Sequence, residues 1–173
     1  MVESSANPVA FETQREPVPR VDTGELDTAL AFLDFVRSCL LKKASGLTEE
    51  QLRRVLVPSG TSILGLIQHV SVAERFWFGY QFAGIGEDAD FEFDMVVAAE
   101  RSAGEVIADY RAAIVASNAL IRRIGNPEAR MAMPVDGEYL SLRWVIAHAT
   151  GEVTRHAGHA DILRELIDGT TGR

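Results

Sequence analysis

The chain holds a single cysteine, Cys39, so it can close no internal disulfide and offers no CxxC pair to hold zinc or to cycle between thiol and disulfide. That usage fits a reducing compartment. Histidine is scarce too, at four residues, and the 17 basic side chains are outnumbered by 25 acidic ones, for a formal net charge of −8. A surface with that balance repels phosphate backbones and anionic headgroups, which argues against nucleic acid and membranes as partners. No apolar run approaches the roughly 18 residues that a spanning helix requires. The stretch "MVESSANPVAFETQREPVPR" lacks the basic start and apolar core of a secretory signal, and is no mitochondrial targeting helix. A soluble, cytoplasmic protein is the expectation.

What is present is mostly helical periodicity. Residues 1–20, with Pro8, Pro17 and Pro19, read as an extended or partly disordered arm, and residues 21–173 as one domain, long enough to bury roughly two-thirds of its unfolded surface. A first helix follows Asp22 or Thr23 as cap, carries Leu26, Leu30, Leu33, Val36 and Leu40 on one face, and ends at Gly46. Thr48 and Gln51 form a capping box for a short connector. A second long helix after Pro58 points Leu66, Val70, Ala73, Trp77 and Tyr80 inward. The acidic "EDADFEFD" has no helical period and lacks the ligand spacing of a calcium loop, so it reads as a solvated connection. A third helix carries Val106, Tyr110, Ala113, Ser117, Leu120 and Ile124 inward and stops at Gly125, Asn126 and Pro127. A short extended piece is expected around Asp136 and Gly137, and a last helix runs from about Ser141 to Asp168. Four long amphipathic helices without a sheet predict an all-α, up-and-down four-helix bundle, whose sites lie between facing helices.

Three of the four histidines, His148, His156 and His159, fall within twelve positions of the last helix, with Glu152 among them. At 100° per residue, with His148 as zero, Glu152 lies near about 40°, His156 near about 80° and His159 near about 20°. That arc overlaps the apolar positions Val145, Ala149, Val153, Ala160, Leu163, Leu166 and Ile167, while Arg143, Thr154, Arg155, Gly158, Asp161 and Glu165 already give the helix a solvated face. An unpartnered carboxylate or imidazole inside a bundle is costly, and a divalent cation would compensate both. A Glu and a His one turn apart also occur on ordinary solvated helices, so the metal reading needs more than one pair. The pairs His148 with Glu152, Glu152 with His156, and His156 with His159 all have usable spacing, and spacing does not choose among them. A third ligand must come from another helix, and the remaining histidine is His69, at the border of the second helix's apolar face. Cys39, on the edge of the first helix's stripe, reads as packing. Trp77, Phe76, Phe78 and Trp144 read as core before they read as pocket walls.

The stretches "ILGLIQHVSVAERFWF" and "SLRWVIAHATGEVTRHAGHADILRELIDG", together with "FLDFVRSCLLKKASGLTEEQL", resemble the DinB/YfiT-like superfamily, in particular its branch near mycothiol-dependent enzymes, over about residues 20–169. The resemblance implies a four-helix bundle holding one divalent metal through a histidine on the second long helix and two residues four apart on the last. In this chain those positions are His69, Glu152 and His156. Glutamate at the first late position resembles the mycothiol-dependent maleylpyruvate isomerase type. The family's frequent HRGQ stands here as "HAGH", with Ala157 and His159 in the altered places.

Such a ligand set suits zinc first, nickel or iron next, and leaves a coordination position free. The resemblance then implies a low-molecular-weight thiol such as mycothiol at that position, attacking a small electrophile in S-transfer or isomerisation, in a homodimer. His159 is the candidate proton acceptor, and His148 could orient Glu152 from the preceding turn. Two other functions use the same residues: a hydrolase activating water on the metal, and a non-catalytic, stress-related metal-binding protein with a structural ion.

Overall fold

The computed structural model describes residues 17–87 and 91–172. Of the expected arm, residues 1–16 lie outside them, and residues 17–20 have no regular structure. The chain is all-α: among the described residues no strand forms, and isolated bridges pair Arg130 with Ser141 and, inside that excursion, Val135 with Glu138 across a tight turn. There Asp136 and Gly137 both take positive φ, 50° and 84°, as a type I′ turn demands. This is the extended piece anticipated around that dipeptide.

Helix α1, Glu25–Ala44, buries Leu30, Leu33, Val36 and Leu40. Its cap is Gly24, with no side-chain hydrogen bond, instead of the anticipated Asp22 or Thr23. The Thr23 hydroxyl is spent on the Asp27 carboxylate at 3.1 Å. Helix α2, Glu49–Arg53, starts with the Thr48–Gln51 capping box. Helix α3, Ile63–Glu74, is capped by Ser62 and continues as a π-helical segment, Arg75–Phe82. Helix α4, Ala103–Ile124, opens with a capping box of Ser102 and Glu105 and closes on the left-handed Gly125. Helix α5, Leu142–Asp168, is capped by Ser141 and closes on Gly169. None of these helices is long and apolar enough to cross a membrane.

Helix α1 lies along α5, and α3 packs on both α4 and α5, so α3 is the central element. One continuous apolar core joins all four long helices through Leu33, Leu66, Tyr110, Leu142 and Ile146. The π-helical segment alters which residues α3's extension buries. A helix bonded i to i+5 takes more residues per turn than an α-helix, so the α-helical stripe drifts out of register. Phe78 and Phe82 enter the core, whereas Trp77 and Tyr80, anticipated inside, are half-buried. Leu166, read as part of the α5 apolar face, is exposed.

A polar network also spans the core. Arg37 of α1 and Glu74 of α3 are 1% and 3% exposed. The guanidinium donates to both carboxylate oxygens of Glu74, through Nε at 3.2 Å and through Nη2. It donates as well to Ser117 Oγ on α4 at 3.1 Å, to Asp34 at 2.8 Å and to Asn118 at 2.7 Å. Three helices are thus pinned by one side chain. Removing one member of a buried ion pair strands its partner, at about 3–5 kcal/mol. Arg37→Ala is therefore expected to lower the stability measured by urea unfolding by that amount. The joint change Arg37→Met with Glu74→Leu, which leaves no stranded charge, should recover most of it.

Candidate metal centre

Helices α3 and α5 bring together the three residues that the family resemblance singled out. His69 comes from the middle of α3, and Glu152 and His156 from consecutive turns of α5. One donor atom from each can be chosen so that all lie within 4.8 Å of one another. Glu152 Oε1 stands 3.5 Å from His69 Nε2 and 3.0 Å from His156 Nε2, and the two imidazole rings meet edge-on at 4.8 Å. The side chain of His156 is 6% exposed, that of His69 14% and that of Glu152 21%. The cluster therefore faces outward through the carboxylate.

The protonation of His69 follows from its second contact. Its Nδ1 lies 2.8 Å from the backbone carbonyl oxygen of Phe93. A carbonyl can only accept, so the ring proton sits on Nδ1 and donates there. In the neutral ring Nε2 then presents a lone pair to Glu152 Oε1, itself an acceptor. Two acceptors facing each other at 3.5 Å need a proton or a cation between them.

Burial pushes the His156 pKa below its ordinary value, outweighing the hydrogen bond to Glu152, so the ring stays neutral as a metal ligand must. Its Nδ1 is buried without a hydrogen-bond partner. Burial pushes Glu152 upward, but the hydrogen bond and attraction to His156, the contact with the His69 ring and the nearby Arg155 outweigh it and leave the carboxyl below its ordinary value. The carboxylate is ionised and shares the cluster with two imidazoles.

The loop that supplies the Phe93 carbonyl, read as a solvated connection, is exposed at Glu92, Phe93 and Asp94, but it also packs on α3 and its extension. Phe91 and Phe93 pack against Phe76 at 5.4 and 5.1 Å between ring centroids, and Gln68 Nε2 donates to the Val96 carbonyl at 3.0 Å. Close approach requires Gly65: a Cβ at that position would collide with the Met95 carbonyl oxygen. Two phenylalanines inside an otherwise acidic stretch were the signal available in the sequence, since a solvated loop has no use for them.

The other two histidines part company. His148 does not reach Glu152. Its ring stacks on Trp144, 4.9 Å away and 5° from parallel, and packs on Trp77 at 4.5 Å. The role of orienting Glu152 has no support among the described residues; the flat aromatic neighbours attract the imidazole instead. His159 is exposed, with its ring 5.7 Å from that of His156. It lines a cavity of about 210 Å³ with Val57, Ser59, Thr61, Ile162 and Leu163. Phe78 is core, Phe76 and Trp77 are half-buried and Trp144 is 39% exposed. Cys39 is buried, as a packing residue should be.

Fold and cluster together define an all-α protein with an interhelical His, Glu and His set suited to one divalent cation. The family model for mycothiol-S-transferase matches residues 28–169, most of the chain and all three cluster residues. The chain belongs to that family, which is DinB/YfiT-like as the resemblance implied. No curated protein matches it.

Two outcomes follow. Gly65→Ala pushes the Met95 loop off α3, so stability should drop by about 1–3 kcal/mol, and zinc affinity, measured by competition with a chelating dye, should weaken about tenfold or more as His69 loses its orienting carbonyl. The second concerns pH. The folded His156 pKa lies below 6.5, its ordinary value, so on acidification the unfolded chain takes up the proton first. The stabilisation is complete above that ordinary value and is lost as pH falls from it through the folded pKa. Urea unfolding of metal-free protein between about pH 7 and pH 5 should show falling stability, with a shallower slope for His156→Gln.

Proposed function

We propose that the protein is a metal-dependent transferase that joins a low-molecular-weight thiol, mycothiol in the family's own chemistry, to a small electrophile. The observation that carries this reading is the pair of facing acceptors, His69 Nε2 and Glu152 Oε1, 3.5 Å apart beside the neutral His156 ring. The residues present fit a divalent cation: two imidazole nitrogens, one fixed in tautomer by the Phe93 carbonyl, and one ionised carboxylate oxygen. His69, Glu152 and His156 would hold it. Mixed nitrogen and oxygen donors favour zinc, with nickel and iron next. When bound, such a cation lowers the pKa of a thiol at its free position and keeps it as thiolate.

The chain's own residues do the rest. Glu152 neutralises part of the cation's charge and holds His156 in place. The Phe93 carbonyl keeps the His69 proton on Nδ1, leaving Nε2 free to ligate. His159, exposed beside His156, takes the proton the thiol gives up and passes it to solvent or to the product. A sulfur–carbon bond forms; the displaced electron pair leaves with the leaving group, or stays on the adduct and is protonated. With Cys39 buried, the sulfur has to come from the co-substrate.

Elemental analysis of the purified full-length protein should find a transition metal that Glu152→Ala with His156→Ala lacks. With thiol and electrophile supplied together, mass spectrometry should detect an S-conjugate whose formation requires both metal and thiol. His159→Gln should lower kcat about 100-fold at unchanged metal content. Equal metal in wild type and double variant would overturn the site. Metal-dependent turnover that ignores the thiol would replace this reading with a hydrolase.

A further inference from the structure

Beside the metal centre lies a second feature that the transferase reading leaves unused, the cavity of about 210 Å³ whose wall includes His159. We propose that it is the subsite for an uncharged, apolar arm of the electrophile, so that preferred substrates are neutral electrophiles bearing one compact aliphatic or aryl group. This rests on the transferase reading, whose failure shows itself separately in the experiment below.

Position comes first. On α5 the metal cluster occupies Glu152 and His156, and His159 is the next residue on that face, its ring 5.7 Å from His156. The cavity is lined by His159, by Ile162 and Leu163 one turn further on, and by Val57, Ser59 and Thr61 from the segment before α3, and it is partly open to solvent. A group seated there keeps its attached reactive carbon next to the cluster.

Chemistry comes second. Val57, Ile162 and Leu163 are apolar, and no carboxylate, lysine or arginine lines the space. The two hydroxyls, Ser59 Oγ and Thr61 Oγ1, are hydrogen-bonded to each other at 2.9 Å, which uses one of their two protons and leaves them, with His159, as the few polar groups of the space. A polyhydroxylated thiol needs more partners than these few groups offer. The cavity therefore suits the electrophile, and the thiol approaches from elsewhere. In size it resembles cavities of roughly 150 Å³ that bind benzene, so it takes one ring or a short branched chain. A cavity of about 410 Å³, bounded by α4 and the π-helical segment, includes none of the cluster residues, so it does not compete for this role.

Ile162 is 59% exposed, so a larger side chain there can block the cavity without disturbing the core. The experiment uses zinc-loaded full-length protein with labelled methyl groups, titrated with cyclohexanol, cyclohexanecarboxylate and glucose. Cyclohexanol should shift the methyl signals of Val57, Ile162 and Leu163 saturably, the carboxylate should bind at least about tenfold more weakly, and glucose should leave them in place. Ile162→Trp should abolish the cyclohexanol response. In the conjugation assay, thiol opens ethylene oxide or styrene oxide: the S–C bond forms, a C–O bond breaks and the thiol proton ends on the alkoxide oxygen. Ile162→Trp should lower kcat/KM for styrene oxide about tenfold more than it lowers that for ethylene oxide, with metal content and the KM for thiol as the controls that separate a blocked subsite from a damaged metal centre.

A missing or unsaturable methyl response, an equal response to the carboxylate, or an unchanged styrene oxide rate in Ile162→Trp would overturn the subsite while thiol-dependent conjugation still stood. Saturable cyclohexanol binding with no thiol-dependent conjugate from either epoxide would overturn the transferase reading, and with it the assignment of the guest as an electrophile.

Discussion

The contact between α3 and α5 is the constraint on which the site depends. It places Nε2 of His69 against the Glu152 carboxylate, a contact that holds only with a proton or a cation between the two atoms. The His69 ring cannot rotate away without giving up the Phe93 carbonyl, and the carbonyl is fixed in turn because its loop seats on Gly65. A backbone hydrogen bond on one side of a ring thus decides the chemistry available on the other. Helix packing contributes by making the cost of separating these groups the cost of opening the core.

The buried Arg37 network serves the same end from the far side of α3. A central helix that must present His69 on one face cannot be free to turn about its axis, and apolar packing alone resists such rotation weakly because Leu and Val tolerate repacking. The bidentate guanidinium on Glu74 does not: its two parallel hydrogen bonds have one orientation. The π-helical segment begins at the residue after Glu74, so the register of α3 up to that point is set by a polar contact, and the loosened turn falls where aromatic rings can fill the space.

Much of this was legible in the sequence, for reasons that can be named. The period of Leu30, Leu33, Val36 and Leu40, the box at Thr48, the stop at Gly125 and the Asp136–Gly137 turn each rest on local physics, and local physics is what a sequence displays. The His69, Glu152 and His156 set was another matter. Spacing left three pairs on the last helix open, and the family resemblance chose among them. Phe93 acts through its backbone, which every residue possesses, so no side-chain pattern could announce it. Arg37 and Glu74 are ordinary charged residues whose burial is a product of three-dimensional packing. Trp77 and Tyr80 were misplaced because a change of helical pitch inside a helix leaves no mark on an α-helical wheel. Spacing offered His148 as a group that could orient Glu152, whereas its ring contacts are with Trp144 and Trp77.

The burial of Cys39 acquires a meaning once the chemistry of the site is considered. A catalyst that couples sulfur to reactive carbon works among compounds that would alkylate any accessible thiolate, its own included. Keeping the chain's one thiol inside the first helix's packing denies those compounds a target and denies the small-molecule thiol a partner for mixed disulfides. Under the proposed transferase chemistry the protein would handle reagents of both kinds turnover after turnover without itself becoming their product.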